Sequence, residues 1–131
     1  MNRKSRILVV DDEPNVLVTY RLILQQQGYD ISTALSSDEA RSILGRENVD
    51  LLLCDLSLEK QENGFDVIDF AHQRNASMPA VLLTGYATPE AVERSEQLGI
   101  AVLFKAIDIK ELLETISALL GDNHEKRKAA D

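Results

Sequence analysis

Asp11, Asp12, Asp55, Thr84 and Lys105 stand far apart in the chain, yet each closes a short apolar run. Ile7-Leu8-Val9-Val10 leads into Asp11-Asp12 and then Glu13. Leu51-Leu52-Leu53-Cys54 leads into Asp55. The fourth run ends at Thr84-Gly85 and the fifth at Lys105. If the runs are strands of one parallel sheet, these side chains gather beyond its carboxyl edge, where open α/β sheets bind ligands. Ionised aspartates a few ångströms apart repel one another. A hard divalent cation relieves that repulsion, and Mg²⁺ favours one or two carboxylates together with waters and a phosphate. Lys105 adds a fixed positive charge. A metal, an ammonium and a hydroxyl donor together suit a dianionic phosphoryl group. An aspartate among them can act as a nucleophile towards phosphorus.

Taken singly, each residue has a plainer role. Asp11 and Asp12 would favour the start of a helix near Pro14. Asp55 would be a turn residue, Thr84 a polar strand end, and Lys105 a solvated cation. Their coincidence at one edge is what favours chemistry. Other candidates are weaker. Gly28, Gly64, Gly85 and Gly99 make no phosphate-binding loop. His72 and His124 lack metal-ligating neighbours in sequence. Cys54 sits inside an apolar run and reads as a core thiol.

The elements that must position these residues follow from the hydrophobic pattern. Residues 6–10, 31–34, 51–56, 80–84 and 101–104 are mostly continuous apolar runs, the mark of strands buried on both faces. Between them lie helices. Residues 14–27 carry Val16, Tyr20, Ile23 and Leu24 on one side, and Gly28 stops the helix. Ser36 with Glu39 spells a capping box before Ala40, Ile43 and Leu44. Residues 65–73 place Phe65, Ile68 and Ala71 or His72 at helical spacing. Thr88-Pro89 is an N-cap with proline at the first helical position, opening residues 90–98. Asp108 with Glu111 repeats the capping logic before Leu112, Leu113, Ile116, Leu119 and Leu120, and Gly121 ends that helix. Five strands alternate with five helices, which predicts an α/β fold with a parallel sheet covered on both faces. Periodicity leaves the strand order open.

With 131 residues and 44% apolar content, the chain fits one domain with a real core. Residues 1–121 are read as that domain. Residues 122–131 are read as a polar tail or the start of a linker, expected to be disordered, with a basic patch at Lys126-Arg127-Lys128. The net charge of −8 argues against direct nucleic-acid binding, which draws on positive charge. The single cysteine excludes an intrachain disulfide and is consistent with a cytoplasmic protein. No apolar run is long enough to span a membrane.

The sequence resembles the receiver domain of two-component response regulators over residues 6–120. The resemblance is carried by Ile7-Leu8-Val9-Val10-Asp11-Asp12-Glu13, Leu51-Leu52-Leu53-Cys54-Asp55, Asn63-Gly64-Phe65-Asp66, Leu82-Leu83-Thr84-Gly85-Tyr86 and Phe104-Lys105. It implies a flavodoxin-like doubly wound sheet of order 2-1-3-4-5, the order that receivers share with flavodoxin. It implies a phosphorylation-controlled switch rather than a dedicated enzyme, one that promotes its own aspartyl phosphorylation and dephosphorylation. Asp55 would be the phosphoacceptor, taking its phosphoryl group from a phosphohistidine on a sensor histidine kinase or phosphotransfer protein. Mg²⁺ would be held by Asp12, Asp55 and the backbone carbonyl of Ser57, with Asp11 acting through a metal-bound water. Lys105 would pair with the phosphoryl oxygens, and Thr84 would swing its hydroxyl towards them. Ser57 and Tyr86 match positions that tune the lifetime of the phosphoaspartate. The resemblance also allows a homodimer to form on phosphorylation.

Three departures stand out. Val102 occupies the place where receivers carry a switching aromatic, and Phe104, on the same strand face, is the aromatic placed to substitute for it. Ala106 follows Lys105 where receivers carry proline, so a trans Lys105–Ala106 peptide is expected, a cis bond before a non-proline residue costing about 2.5–4 kcal/mol. Residues 56–63 lack the usual Met-Pro and are one residue longer. The first two departures motivate an alternative, a pseudo-receiver acting as a constitutive interaction module. A flavin carrier is disfavoured because acidic residues follow the first strand where a phosphate loop is needed.

Overall fold

A computed structural model describes residues 4–58, 63–86 and 88–121. Along the chain run β1 (Arg6–Val10), α1 (Pro14–Gln26), β2 (Asp30–Ala34), α2 (Ser37–Arg46), β3 (Leu51–Asp55), α3 (Gly64–Arg74), β4 (Ala80–Thr84), α4 (Pro89–Leu98), β5 (Ala101–Phe104) and α5 (Ile109–Leu119). All strand pairs are parallel, and the sheet order is β2-β1-β3-β4-β5. This is the flavodoxin-like order that the family resemblance implies. The polar tail at residues 122–131, with Lys126-Arg127-Lys128 and His124, lies outside the described residues.

Strand alternation explains why the apolar runs are continuous. Ile7, Val9, Leu51, Leu53, Val81, Leu83 and Leu103 face a core shared with Leu17, Tyr20 and Leu24 of α1 and Leu112 and Ile116 of α5. Leu8, Val10, Leu52, Cys54 and Leu82 face the opposite core with α2, α3 and α4. Each central strand therefore needs an apolar residue at every position, and β3 and β4 are buried throughout.

The helix starts follow local chemistry. Ser36 Oγ accepts the Glu39 amide at 3.1 Å, but Glu39 returns its carboxylate to the amide of Leu35 at 2.9 Å. The reciprocal bond thus lands one residue earlier than the capping box predicts. Thr88 Oγ1 accepts the Ala91 amide at 3.1 Å, and Asp108 accepts the Glu111 amide at 3.1 Å. A complete capping box joins Asn63 and Asp66, both bonds at 3.3 Å, and fixes the start of α3. Asp11 and Asp12 do not cap α1. Its N-cap is Glu13 without a side-chain bond, and Pro14 opens the helix. The plainer reading of the two aspartates as helix caps is therefore not the one the structure adopts.

Candidate functional site

Sheet register brings the strand ends together. Val10 pairs with Cys54, Asp55 with Leu83, and Thr84 with Phe104. Pairing continues past the ends: the Asp11 amide donates to the Ala34 carbonyl at 3.1 Å, Leu56 to Leu83 at 2.8 Å and Lys105 to Thr84 at 2.8 Å. These bonds fix the backbone from which the side chains project. Beneath them, α3 presses directly on Asp55. A Cβ added at Gly64 would lie 2.5 Å from the Asp55 carbonyl oxygen.

Asp11, Asp12 and Asp55 each offer a carboxylate oxygen within 4.8 Å of the others. Asp11 is 1% exposed and Asp55 is 5% exposed. Among the described residues, Lys105 is the cation that meets this trio. Its Nζ donates to Asp55 Oδ2 at 3.0 Å and lies 3.8 Å from Asp11 Oδ2. Asp55 Oδ1 accepts the Ser57 amide at 3.3 Å, and Asp11 Oδ1 accepts the Glu13 amide at 3.0 Å. Asp11 Oδ2 is buried and accepts no hydrogen bond among the described residues.

The electrostatics follow from this crowding. Burial pushes the Asp11 carboxyl up to about 6; the charges of Asp55 and Asp12 add to the rise, while the Glu13 amide and Lys105 oppose it. Partial burial alone would lower the Lys105 ammonium. The hydrogen bond to Asp55 and the charges of Asp55 and Asp11 outweigh it and hold Lys105 above its ordinary value. Among the described residues, one ammonium thus meets two of the three clustered carboxylates, and a buried carboxylate oxygen is left without a donor. A divalent cation with oxygen ligands fits that donor set, so Asp11, Asp12 and Asp55 could hold Mg²⁺.

Thr84 is 3% exposed. Its hydroxyl donates to the Tyr86 carbonyl at 2.8 Å and accepts the Tyr86 amide at 3.1 Å, so it is tied to its own loop. The Tyr86 ring is 78% exposed. Ser57 is exposed and pairs with Asn63 in an isolated antiparallel bridge. Val102 packs at the edge of the α2–α3–α4 core, while Leu103 enters the other, as strand alternation predicts. Phe104 is 52% exposed. The Lys105–Ala106 peptide is cis, against the trans bond expected before alanine. Residues 59–62, the centre of the lengthened loop, lie outside the described residues. Cys54 is buried, and its thiol is pushed up by burial and by the charges of Asp55 and Asp11, which leaves it unreactive. His72 Nε2 meets the Met78 carbonyl at 3.0 Å and lies apart from the acidic trio.

Two residues near the site are not evident from sequence chemistry. Tyr20 reads as one member of the α1 apolar stripe, yet its phenol lies in electrostatic range of Lys105, Asp11 and Asp55; burial is the main cause of its raised pKa. Its polar tip in an otherwise aliphatic stripe was the available signal. Gly64 stands in a motif that carries the family resemblance, but the reason for a glycine there is a contact between elements that local spacing does not encode.

A parallel sheet of this order, with an acidic trio and a lysine beyond its carboxyl edge, defines a receiver-type α/β module. Residues 7–117 match the model of the response regulator receiver domain. The chain belongs to that family. It is 31% identical over 120 residues to the transcriptional regulatory protein GlrR of Escherichia coli K12, covering 91% of this chain and 27% of GlrR. The chain thus spans about a quarter of the length of that regulator. A CheY-like receiver domain protein from Methanospirillum hungatei JF-1 superposes with a TM-score of 0.85 at 30% identity, covering 95% of this chain and 99% of that one. The response regulator TrrA of Thermotoga maritima, solved with Mg²⁺ and BeF, superposes with a TM-score of 0.78 at 30% identity, covering 88% of this chain and 98% of that one. Among the described residues no helix is long and apolar enough to cross a membrane.

Proposed function

We propose that Asp55 accepts a phosphoryl group from a phosphohistidine on a sensor histidine kinase or phosphotransfer protein, and that this changes which partners the domain binds. The observation that carries the reading is the setting of the Asp55 carboxylate. It is buried, it lies within the acidic trio, and it is held by Lys105 Nζ at 3.0 Å. In the transfer, an Asp55 carboxylate oxygen bonds to phosphorus while the bond from phosphorus to imidazole nitrogen breaks. The imidazole leaves with the electron pair and is protonated. Asp11, Asp12, Asp55 and the Ser57 carbonyl would hold Mg²⁺, which supplies charge neutralisation for the phosphoryl oxygens. Lys105 supplies the remaining positive charge. The Ser57 amide keeps Asp55 Oδ1 oriented.

Thr84 carries the signal outward in this reading. Turning its hydroxyl to the phosphoryl group breaks both bonds to Tyr86 and frees the loop after β4. Tyr86 and Phe104 then form the exposed aromatic readout, with Val102 too stiff at χ1 to serve as the rotating residue. A local charge change thereby biases a two-state surface. The retained trio, Thr84 and Lys105 favour this over a constitutive interaction module.

Incubation with phosphoramidate and Mg²⁺ is expected to add the mass of one phosphoryl group to the intact protein. Chelating the divalent ion should remove most of that gain. The absence of any gain across donors and pH would overturn the reading. A gain that is indifferent to chelation would overturn its metal component.

A further inference from the structure

Helix α4 places one large apolar side chain against the core, the partly buried Leu98 at its end, and only small residues along the rest of its length. Its buried residues are Ala91 and Ser95, and Ser95 returns its hydroxyl to the Ala91 carbonyl of the same helix at 2.9 Å. Arg94 supplies a tie that these small residues do not. Its Nη2 donates to Asp69 Oδ2 of α3 at 2.6 Å, between residues 25 apart in sequence. The same guanidinium lies over the Phe65 ring, 4.5 Å from its centroid. Phe65 is buried in the first turn of α3. One side chain therefore grips α3 by charge and by ring face together.

A cleft of about 400 Å³ opens beside this grip. It is lined by Leu56 and Ser57 after β3, Phe65 of α3, Thr88 at the N-cap of α4, and Ala91 and Arg94 of α4. Among the described residues, this cleft separates the first turn of α4 from Leu56 and Ser57.

We propose that Arg94 is a positioning residue for the switch, a clamp that holds α4 against α3 in the arrangement where the Thr84 hydroxyl stays on Tyr86. The inference rests on the reading of Asp55 as phosphoacceptor. The chain from Thr84 to α4 is short, and Thr88 is tied to α4 through the Ala91 amide. A shift of Thr84 towards Asp55 is therefore passed to the first turn of α4, where Arg94 opposes it. An exposed ion pair alone contributes little. A planar guanidinium that also stacks on a buried ring adds to it. The clamp is a modest bias on a two-state equilibrium, and its removal lowers the cost of reaching the other state.

Two measurements on Arg94→Ala and Asp69→Asn test this. The first is the apparent affinity for beryllofluoride in the presence of Mg²⁺. Both variants are expected to bind about three- to tenfold more tightly than the wild type, because the binding-competent state is more populated. Unchanged or weaker binding in both overturns the clamp, even if thermal stability falls, since a merely structural contact would move stability alone. The second is amide hydrogen exchange without any ligand. Faster exchange confined to α4 is expected in both variants, and unchanged exchange in α4 overturns the proposal. A wild type that fails to bind beryllofluoride would defeat the Asp55 reading instead, and the exchange data would then judge the clamp by themselves.

Discussion

Replacing Asp55 with asparagine is expected to abolish phosphorylation while leaving the fold in place. The carboxylate is the only part of the residue that the chemistry needs, and an amide oxygen is a poor nucleophile towards phosphorus. Asparagine has nearly the same shape, so β3 and the contact with α3 can persist. The Ser57 amide and the Lys105 ammonium donate to different carboxylate oxygens of Asp55, so the single oxygen of asparagine keeps one of these two bonds and loses the other. One negative charge also leaves a cluster in which Asp11 is already raised by burial and by its acidic neighbours. The lost ion pair and the relieved repulsion oppose each other, so stability should change by no more than about 1 kcal/mol. The checks are intact-protein mass after phosphoramidate treatment and urea unfolding of the same variant. A full phosphoryl gain in Asp55→Asn would mean that another residue is the acceptor.

Replacing Gly64 with alanine is expected to be the most damaging one-methyl change among the described glycines. The new Cβ would stand 2.5 Å from the Asp55 carbonyl oxygen and 3.0 Å from Leu82 Cδ1. The first of these is backbone, which cannot swing aside. Relief requires the first turn of α3 to lift from β3, stretching the 2.8 Å bond from the Gly64 amide to the Leu56 carbonyl. The expected cost is about 2–3 kcal/mol. Because Asp55 is the residue pressed upon, the rate of phosphorylation should fall as well. Gly45→Ala is the matched control: it lies in α2, and an added Cβ meets nothing within 4 Å. Alanine there should be neutral or stabilising by up to about 1 kcal/mol. Equal urea midpoints for the two variants would contradict the close approach of α3 to Asp55.

These residues also show what was legible in the sequence. The strands were written plainly because a doubly covered sheet demands an apolar side chain at every central position, as in Leu51-Leu52-Leu53. Thr88-Pro89 and Asp108 announced their helices through capping chemistry that acts within one turn. Asp11, Asp12, Asp55, Thr84 and Lys105 were visible as candidates because the carboxyl ends of parallel strands share an edge. Strand order came from the family resemblance, since alternation specifies faces and not neighbours. The features that escaped notice are contacts between elements. Gly64 matters through Asp55, and Arg94 through Asp69 and Phe65, none of which local spacing encodes. The cis Lys105–Ala106 peptide ran against local preference, because the alanine there gives no hint of it.

Whether Asp55 itself carries the phosphoryl group can be read directly. An acyl phosphate is reduced by borohydride to an alcohol, which marks the modified aspartate permanently as homoserine. Protein treated with phosphoramidate and Mg²⁺, then reduced, digested and sequenced by mass spectrometry, should carry that mark at position 55. Asp11 and Asp12 should remain unmodified. A mark at either of those two, or no mark despite a measured phosphoryl gain, would contradict Asp55 as the acceptor.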